Sequence, residues 1–181
     1  MRHEQLKNHI KGSFLKEEYL EAFLVQSAYI ESFLKICADF NSWKSCGGRK
    51  MSEDPILVTM YHQIQRYNLN ELIDFLYKSK LISEEQKKLL NNYREKRNRV
   101  LHDLIKEIAK ETFEKELQET CVVGNKIIDG EEFKRIHSLI DYLENDEKLE
   151  NTQKKELINL VPGKSQNNSD RDGPTGKPKR A

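Results

Sequence analysis

The chain has 181 residues, enough for one domain with a tail. Charged residues (34%) nearly equal apolar ones (36%), so few apolar side chains are to spare for a core. The 31 Lys and Arg stand against 30 Asp and Glu, a net charge of +1, which argues against a globally basic nucleic-acid binder and leaves room only for a local patch.

No run approaches the roughly 18 apolar residues of a membrane span, and the opening MRHEQLKNHIK lacks the apolar centre of a signal peptide. A cytoplasmic protein without membrane contact is the expectation. Cys37, Cys46 and Cys121 are odd in number and lack zinc-ligand spacing, as suits reduced thiols. His3, His9, His62 and His137 have no ligand spacing to one another or to a cysteine, so no metal or cofactor is expected.

From Lys16 to Asn41 the period is helical: Leu20, Phe23, Ile30, Leu34 and Cys37 form one stripe, while Val25, Tyr29, Phe33, Ile36 and Phe40 cover much of the opposite side. A helix apolar nearly all round is central in a bundle or lies in a subunit interface. Residues 41–55 read as a loop, whose Gly47-Gly48-Arg49-Lys50 is no P-loop. Pro55 opens a second helix to about Tyr67. Asn70 is the expected cap of a short third helix, Glu71 to Lys80. Ser83 with Gln86 forms a capping box that starts a long helix reaching toward Leu117. Cys121-Val122-Val123 is the one strand-like stretch, and Gly124 is expected to break the helical pattern. Asp129 and Glu132 cap a further helix to about Glu144, and a polar one spans Glu147 to Leu160. The expected fold is all-α, an antiparallel bundle of five to six helices over residues 1–161. Residues 162–181, PGKSQNNSDRDGPTGKPKRA, hold no aliphatic side chain except Ala181 and read as a disordered basic tail.

The helix after Ser83 breaks a local rule. At about 100° per residue, Leu90, Tyr93, Leu101, Leu104 and Ile108 all fall within about 40° of Arg97, which stands in the middle of the apolar stripe. A guanidinium cannot shed its charge, and burying it unpaired costs several kcal/mol. Either Arg97 pairs with an acid, as a structural ion pair would, or the stripe opens there into a polar cleft. Arg94, Asn98 and His102 follow at i, i+4 and i+8 along one flank. There Asn98 could orient the His102 ring, and an imidazole titrates near neutral pH. Lys87, Lys88, Arg94, Lys96, Arg97 and Arg99 give six cations with only Glu95 opposing, whereas residues 129–150 are mostly acidic. The near-zero net charge hides this segregation. The candidate anion site is therefore Arg97, Asn98 and His102, with Arg94, Lys96 and Arg99 as the cations beside it that would meet a polyanion.

Arg97-Asn98-Arg99-Val100-Leu101-His102 resembles the R-x4-6-H signature of the higher eukaryotes and prokaryotes nucleotide-binding (HEPN) superfamily, in its form Arg-Asn-x3-His. The approach to the motif is similar as well: Leu72-Ile73-Asp74-Phe75-Leu76, Leu81-Ile82-Ser83, Leu89-Leu90, Arg94-Glu95-Lys96-Arg97-Asn98 and His102-Asp103. So is the earlier Tyr29-Ile30-Glu31-Ser32-Phe33-Leu34-Lys35. The likeness covers residues 14–120. It implies a helical bundle that forms a homodimer with two motifs facing a shared cleft, and a metal-independent ribonuclease of toxin–antitoxin, phage-defence or RNA-processing systems, with an antitoxin or sensor protein as a further partner. His102 would take the proton of a ribose 2′-OH and Arg97 would bind the phosphorane oxygens, leaving 2′,3′-cyclic phosphate and 5′-OH ends. Glu31 is the candidate partner of Arg97.

On a straight helix Arg97 and His102 point about 140° apart and lie about 7.5 Å apart along the axis. A local break, a long reach by Arg97 or a site composed across a dimer would reconcile them. Leu104 stands where toxins paired with a nucleotidyltransferase antitoxin carry Tyr, so regulation by tyrosine modification is not expected. Two other readings compete with the ribonuclease: a catalytically inactive HEPN-like module that binds nucleotide, RNA or protein, and a helical scaffold in which Arg97 only forms an ion pair.

Overall fold

The computed structural model describes residues 3–46, 54–106, 111–131, 133–134 and 136–138. Among them there is no strand, and six helices follow one another: α1 (His3–Leu15), α2 (Tyr19–Ser45), α3 (Pro55–Arg66), α4 (Leu69–Lys78), α5 (Glu84–Lys106) and α6 (Glu111–Ile128). The described residues from 131 to 138 are helical too. The fold is an all-α bundle. None of the described helices is long and apolar enough to cross a membrane. The Gly47–Lys50 loop, Ile108, Glu132, the expected helix at 147–160 and the tail at 162–181 lie outside the described residues.

Local chemistry sets the helix starts. Pro55 opens α3 as expected, and Asp54 Oδ1 caps it, accepting from the Ile56 N–H at 2.9 Å. Ser83 and Gln86 form the expected capping box of α5, with both reciprocal bonds present. The cap of α4 differs: Asn68, not Asn70, closes a capping box with Glu71. Asn70 lies inside the helix and its Oδ1 accepts from Arg94.

Two helix ends carry a Schellman motif without glycine. After α1, the Glu18 N–H reaches Ser13 O (2.9 Å) and the Glu17 N–H reaches Phe14 O (3.1 Å), with Glu17 at φ 64°. After α4, the Leu81 N–H reaches Leu76 O (3.0 Å) and the Lys80 N–H reaches Tyr77 O (2.9 Å), with Lys80 at φ 58°. The first motif separates α1 from α2, so α2 starts at Tyr19, three residues later than expected, and continues to Ser45.

Helix α2 is the central element, packed against α1, α3, α4 and α6. Helix α5 runs antiparallel to it, because Phe23 and Leu24 share a groove with Leu101 while Phe33 and Leu34 share a cavity with Leu89 and Leu90. Helix α5 is antiparallel to α4 as well, through Asn70–Arg94 and Asp74–Lys87. Cys121-Val122-Val123 is helical within α6, and Gly124 does not end that helix. Its lack of a side chain serves packing: a Cβ there would collide with the Gln26 side chain of α2.

The buried apolar side chains form two clusters. The larger gathers Tyr29, Ile30, Phe33 and Leu34 of α2, Leu72, Ile73 and Leu76 of α4, Leu90 and Tyr93 of α5, and Val123 and Ile127 of α6. The smaller holds Ala22, Phe23, Val100, Phe113, Leu117 and Cys121. Between them runs a polar seam. Gln26 Nε2 donates to Cys121 O (3.1 Å) and Asn125 Oδ1 (2.9 Å), and the Ser27 hydroxyl bonds the Tyr93 hydroxyl (3.0 Å). Burial raises the pKa of Tyr93 well above its ordinary value, against the pull of the Ser27 bond and the Arg97 charge.

Candidate functional site

Arg97 sits on that seam. On α5 it stands between Tyr93 of the larger cluster and Val100 of the smaller, which is why it interrupts an apolar stripe. Both alternatives open for a guanidinium in this position are realised together. Its Nη2 donates to Glu31 Oε2 at 3.1 Å, the partner expected from the neighbouring helix. The pair also lines a groove of about 370 Å³ with Phe23, Leu24, Ser27, Ala28, Ser32, Lys35 and Leu101. Arg97 and Glu31 are 21% and 28% exposed, so the pair is partly desolvated yet reachable. The Arg97 Nε is buried without a hydrogen-bond partner.

His102 lies elsewhere. Helix α5 is continuous from Glu84 to Lys106, with no break between Arg97 and His102. The His102 side chain is 62% exposed and is not among the groove residues. Its Nδ1 pairs with Asp103 Oδ1 at 3.1 Å, so the group that orients the ring is Asp103 rather than Asn98. With Nδ1–H donated to that carboxylate, Nε2 is the nitrogen left to accept a proton. Asn98 is exposed beside it and makes no hydrogen bond to a described residue.

No family model, characterised protein or solved structure matches this chain.

The basic run of α5 is less free than its sequence suggests. Lys87 pairs with Asp74 (3.1 Å), and Lys96 with Glu119 (2.9 Å). The Lys96 hydrogen bond and charge hold the Glu119 carboxyl below its ordinary range. Arg94 donates to Asn70 and lies 3.6 Å from Glu95. Acids on the neighbouring helices thus meet cations that only Glu95 opposes along the sequence. Lys88 and Arg99 make no ion pair with a described residue. Arg99 is exposed, in a cleft shared with Lys96, Thr112, Lys115 and Glu119.

Two residues at the site carry no signal in the R-x4-6-H pattern. Asp103 lies in the His102-Asp103 stretch that resembles the family, without a role assigned to it there. Lys35 closes the Tyr29–Lys35 stretch that resembles the family, again without an assigned role, and its Nζ lies 3.2 Å from Glu31 Oε1. Among the described residues His, Cys, Asp and Glu form no group of three able to hold a metal. The thiols of Cys37 and Cys121 are buried, and burial pushes Cys121 up to about 12.

Proposed function

We propose that this chain is a metal-independent endoribonuclease of the HEPN type that acts on RNA as a homodimer. His102 takes the proton of a ribose 2′-OH, the 2′ oxygen attacks the adjacent phosphorus, and the 5′ oxygen leaves and takes up a proton from solvent. Arg97 binds the charge that develops on the phosphorane oxygens. Asp103 orients the His102 ring, while Asn98, Arg94, Lys96 and Arg99 border the RNA path.

The observation that carries this reading is the Arg97–Glu31 pair at an open groove on the seam. A purely structural ion pair needs neither a groove nor a second cation, and here Lys35 shares the same carboxylate. The separation of Arg97 and His102 along an unbroken helix favours a site composed of two copies, with Arg97 from one and His102 from the other. Leu20, Leu24, Ala28 and Ile36 remain exposed at four- or eight-residue steps along α2 past this groove, a face that a second copy would cover.

Purified protein is expected to cut RNA in EDTA and leave cyclic-phosphate ends, and His102→Ala is expected to lower the rate at least about 100-fold. Full activity in that variant would sink the assignment. Mixed His102→Ala and Arg97→Ala chains should regain about a quarter of wild-type activity, because half the dimers then hold one intact site. No recovery would place both residues of a site in one chain. The distance of His102 from the groove also favours a second reading, a module that binds RNA without turnover; intact RNA binding with no cleavage by the wild type decides for it.

A further inference from the structure

Glu31 sets its two carboxylate oxygens against two different cations. Oε2 receives Arg97 Nη2 at 3.1 Å, and Oε1 receives Lys35 Nζ at 3.2 Å. Both cationic side chains are 21% exposed, and both line the groove. Every other side chain lining it is uncharged, so two cations face one carboxylate and a surplus of one positive charge remains. Lys87 and Lys96 differ in this respect, each meeting a carboxylate with no second cation bonded to it.

A carboxylate and a phosphate both present a pair of acceptor oxygens, and cations that grip one grip the other. Glu31 thereby marks where these two cations hold an anion. It takes one N–H of each, and the ammonium and guanidinium keep further donors for a second anion at the groove mouth. Ser32, exposed on the same wall, makes no hydrogen bond to a described residue.

We propose that Lys35 is a second phosphate-binding residue of this site: Arg97 and Lys35, held side by side by Glu31, clamp one phosphodiester of the RNA backbone, with the Ser32 hydroxyl as an additional donor. The proposal rests on the ribonuclease reading for the identity of the polyanion. Glu31 positions the cations and also competes with the phosphate for them, so the site grips RNA only where the backbone offers a better anion than the protein's own.

The test uses the full chain and a fluorescein-labelled single-stranded RNA with 2′-O-methyl riboses, which resists cleavage, titrated over a range of salt. Lys35→Met is expected to bind roughly tenfold more weakly, with a slope of log K on log salt shallower by about 0.7, the value for one lost phosphate contact on a single strand. Lys35→Arg, which keeps the charge, should restore binding. Unchanged affinity and slope in Lys35→Met, or no RNA binding by the wild type, overturns the clamp. A lysine that merely neutralises Glu31 is separated by repeating Lys35→Met in a Glu31→Gln background. The clamp predicts a further loss there, and no further loss overturns it. If Glu31→Gln does not fold, the salt slope of Lys35→Met decides: a lysine that only neutralises Glu31 leaves the slope unchanged, which overturns the clamp. Cleavage is scored separately on unmodified RNA. A Lys35 effect on binding without any cleavage supports the clamp and removes the ribonuclease; cleavage with Lys35→Met binding unchanged does the reverse.

Discussion

At one end of the bundle, helices α2, α4, α5 and α6 close around Leu72, Ile73 and Leu76, each inaccessible to solvent. At the other end, among the described residues, only six buried side chains gather, Phe23 and Val100 included. That smaller cluster is open at its surface, because a groove of about 640 Å³ exposes Leu20 and Leu24 beside Phe113 and Leu117. The difference separates two tasks. The enclosed cluster carries most of the burial that holds the helices together, while the open one lets α2 and α5 part enough for a charged pair to reach solvent. Gln26, Ser27, the Tyr93 hydroxyl and Arg97 occupy the boundary, where neither cluster supplies enough apolar surface to exclude them.

The same substitution in each cluster measures this contrast. Leu72→Ala, inside the enclosed cluster, is expected to cost about 4 kcal/mol, because surrounding helices cannot collapse into the space. Leu117→Ala, beside the open groove, should cost about 2 kcal/mol because its neighbours can relax. Urea unfolding of both variants checks this, and equal losses would break the comparison. An effect no larger than that of Leu117→Ala is expected at the seam. Gly124→Ala drives a methyl into Gln26, which cannot yield without straining its bonds to Cys121 and Asn125, at a cost of about 2 kcal/mol. Adding Gln26→Ala should recover part of that loss, and no recovery would locate the clash elsewhere.

The all-α fold and the anomalous Arg97 are legible in the sequence, since both follow from the 3.6-residue period and the cost of a charge on an apolar stripe. Capping chemistry is legible where the residues are the usual ones, as at Ser83. The end of α1 is not, because Glu17 takes the left-handed position that glycine ordinarily signals, and α1 escapes notice for the same reason. Gly124 misleads in the opposite direction: it reads as a helix breaker, yet the bundle uses it for close approach of α2 and α6. The Glu31 partner of Arg97 lies 66 residues away and can be proposed from sequence. The acids that take Lys87 and Lys96 cannot, because Asp74 and Glu119 reach those lysines only when α4 and α6 pack against α5.

The smallest predicted effect concerns Asp39, one turn beyond Lys35 on α2. Half-burial against α3 pushes its carboxyl up to about 6, against the downward pull of the Gln65 hydrogen bond and the Lys35 charge. Its Oδ1 is buried without a partner. A carboxyl whose folded pKa exceeds its ordinary 3.8 holds a proton more tightly in the fold than in the unfolded chain. The stability gained is complete below that ordinary value and is lost as pH rises through about 6. Asp39→Asn, which does not titrate, should therefore gain on the wild type as pH is raised from 5 to 7.5. The gain should stay below about 1 kcal/mol, because solvent screens a half-open group. Thermal unfolding at the two pH values reads it directly. An offset between variant and wild type that does not change with pH would show that the α2–α3 contact leaves Asp39 ionised as in water, and that the larger cluster, like the smaller, is open at its edge.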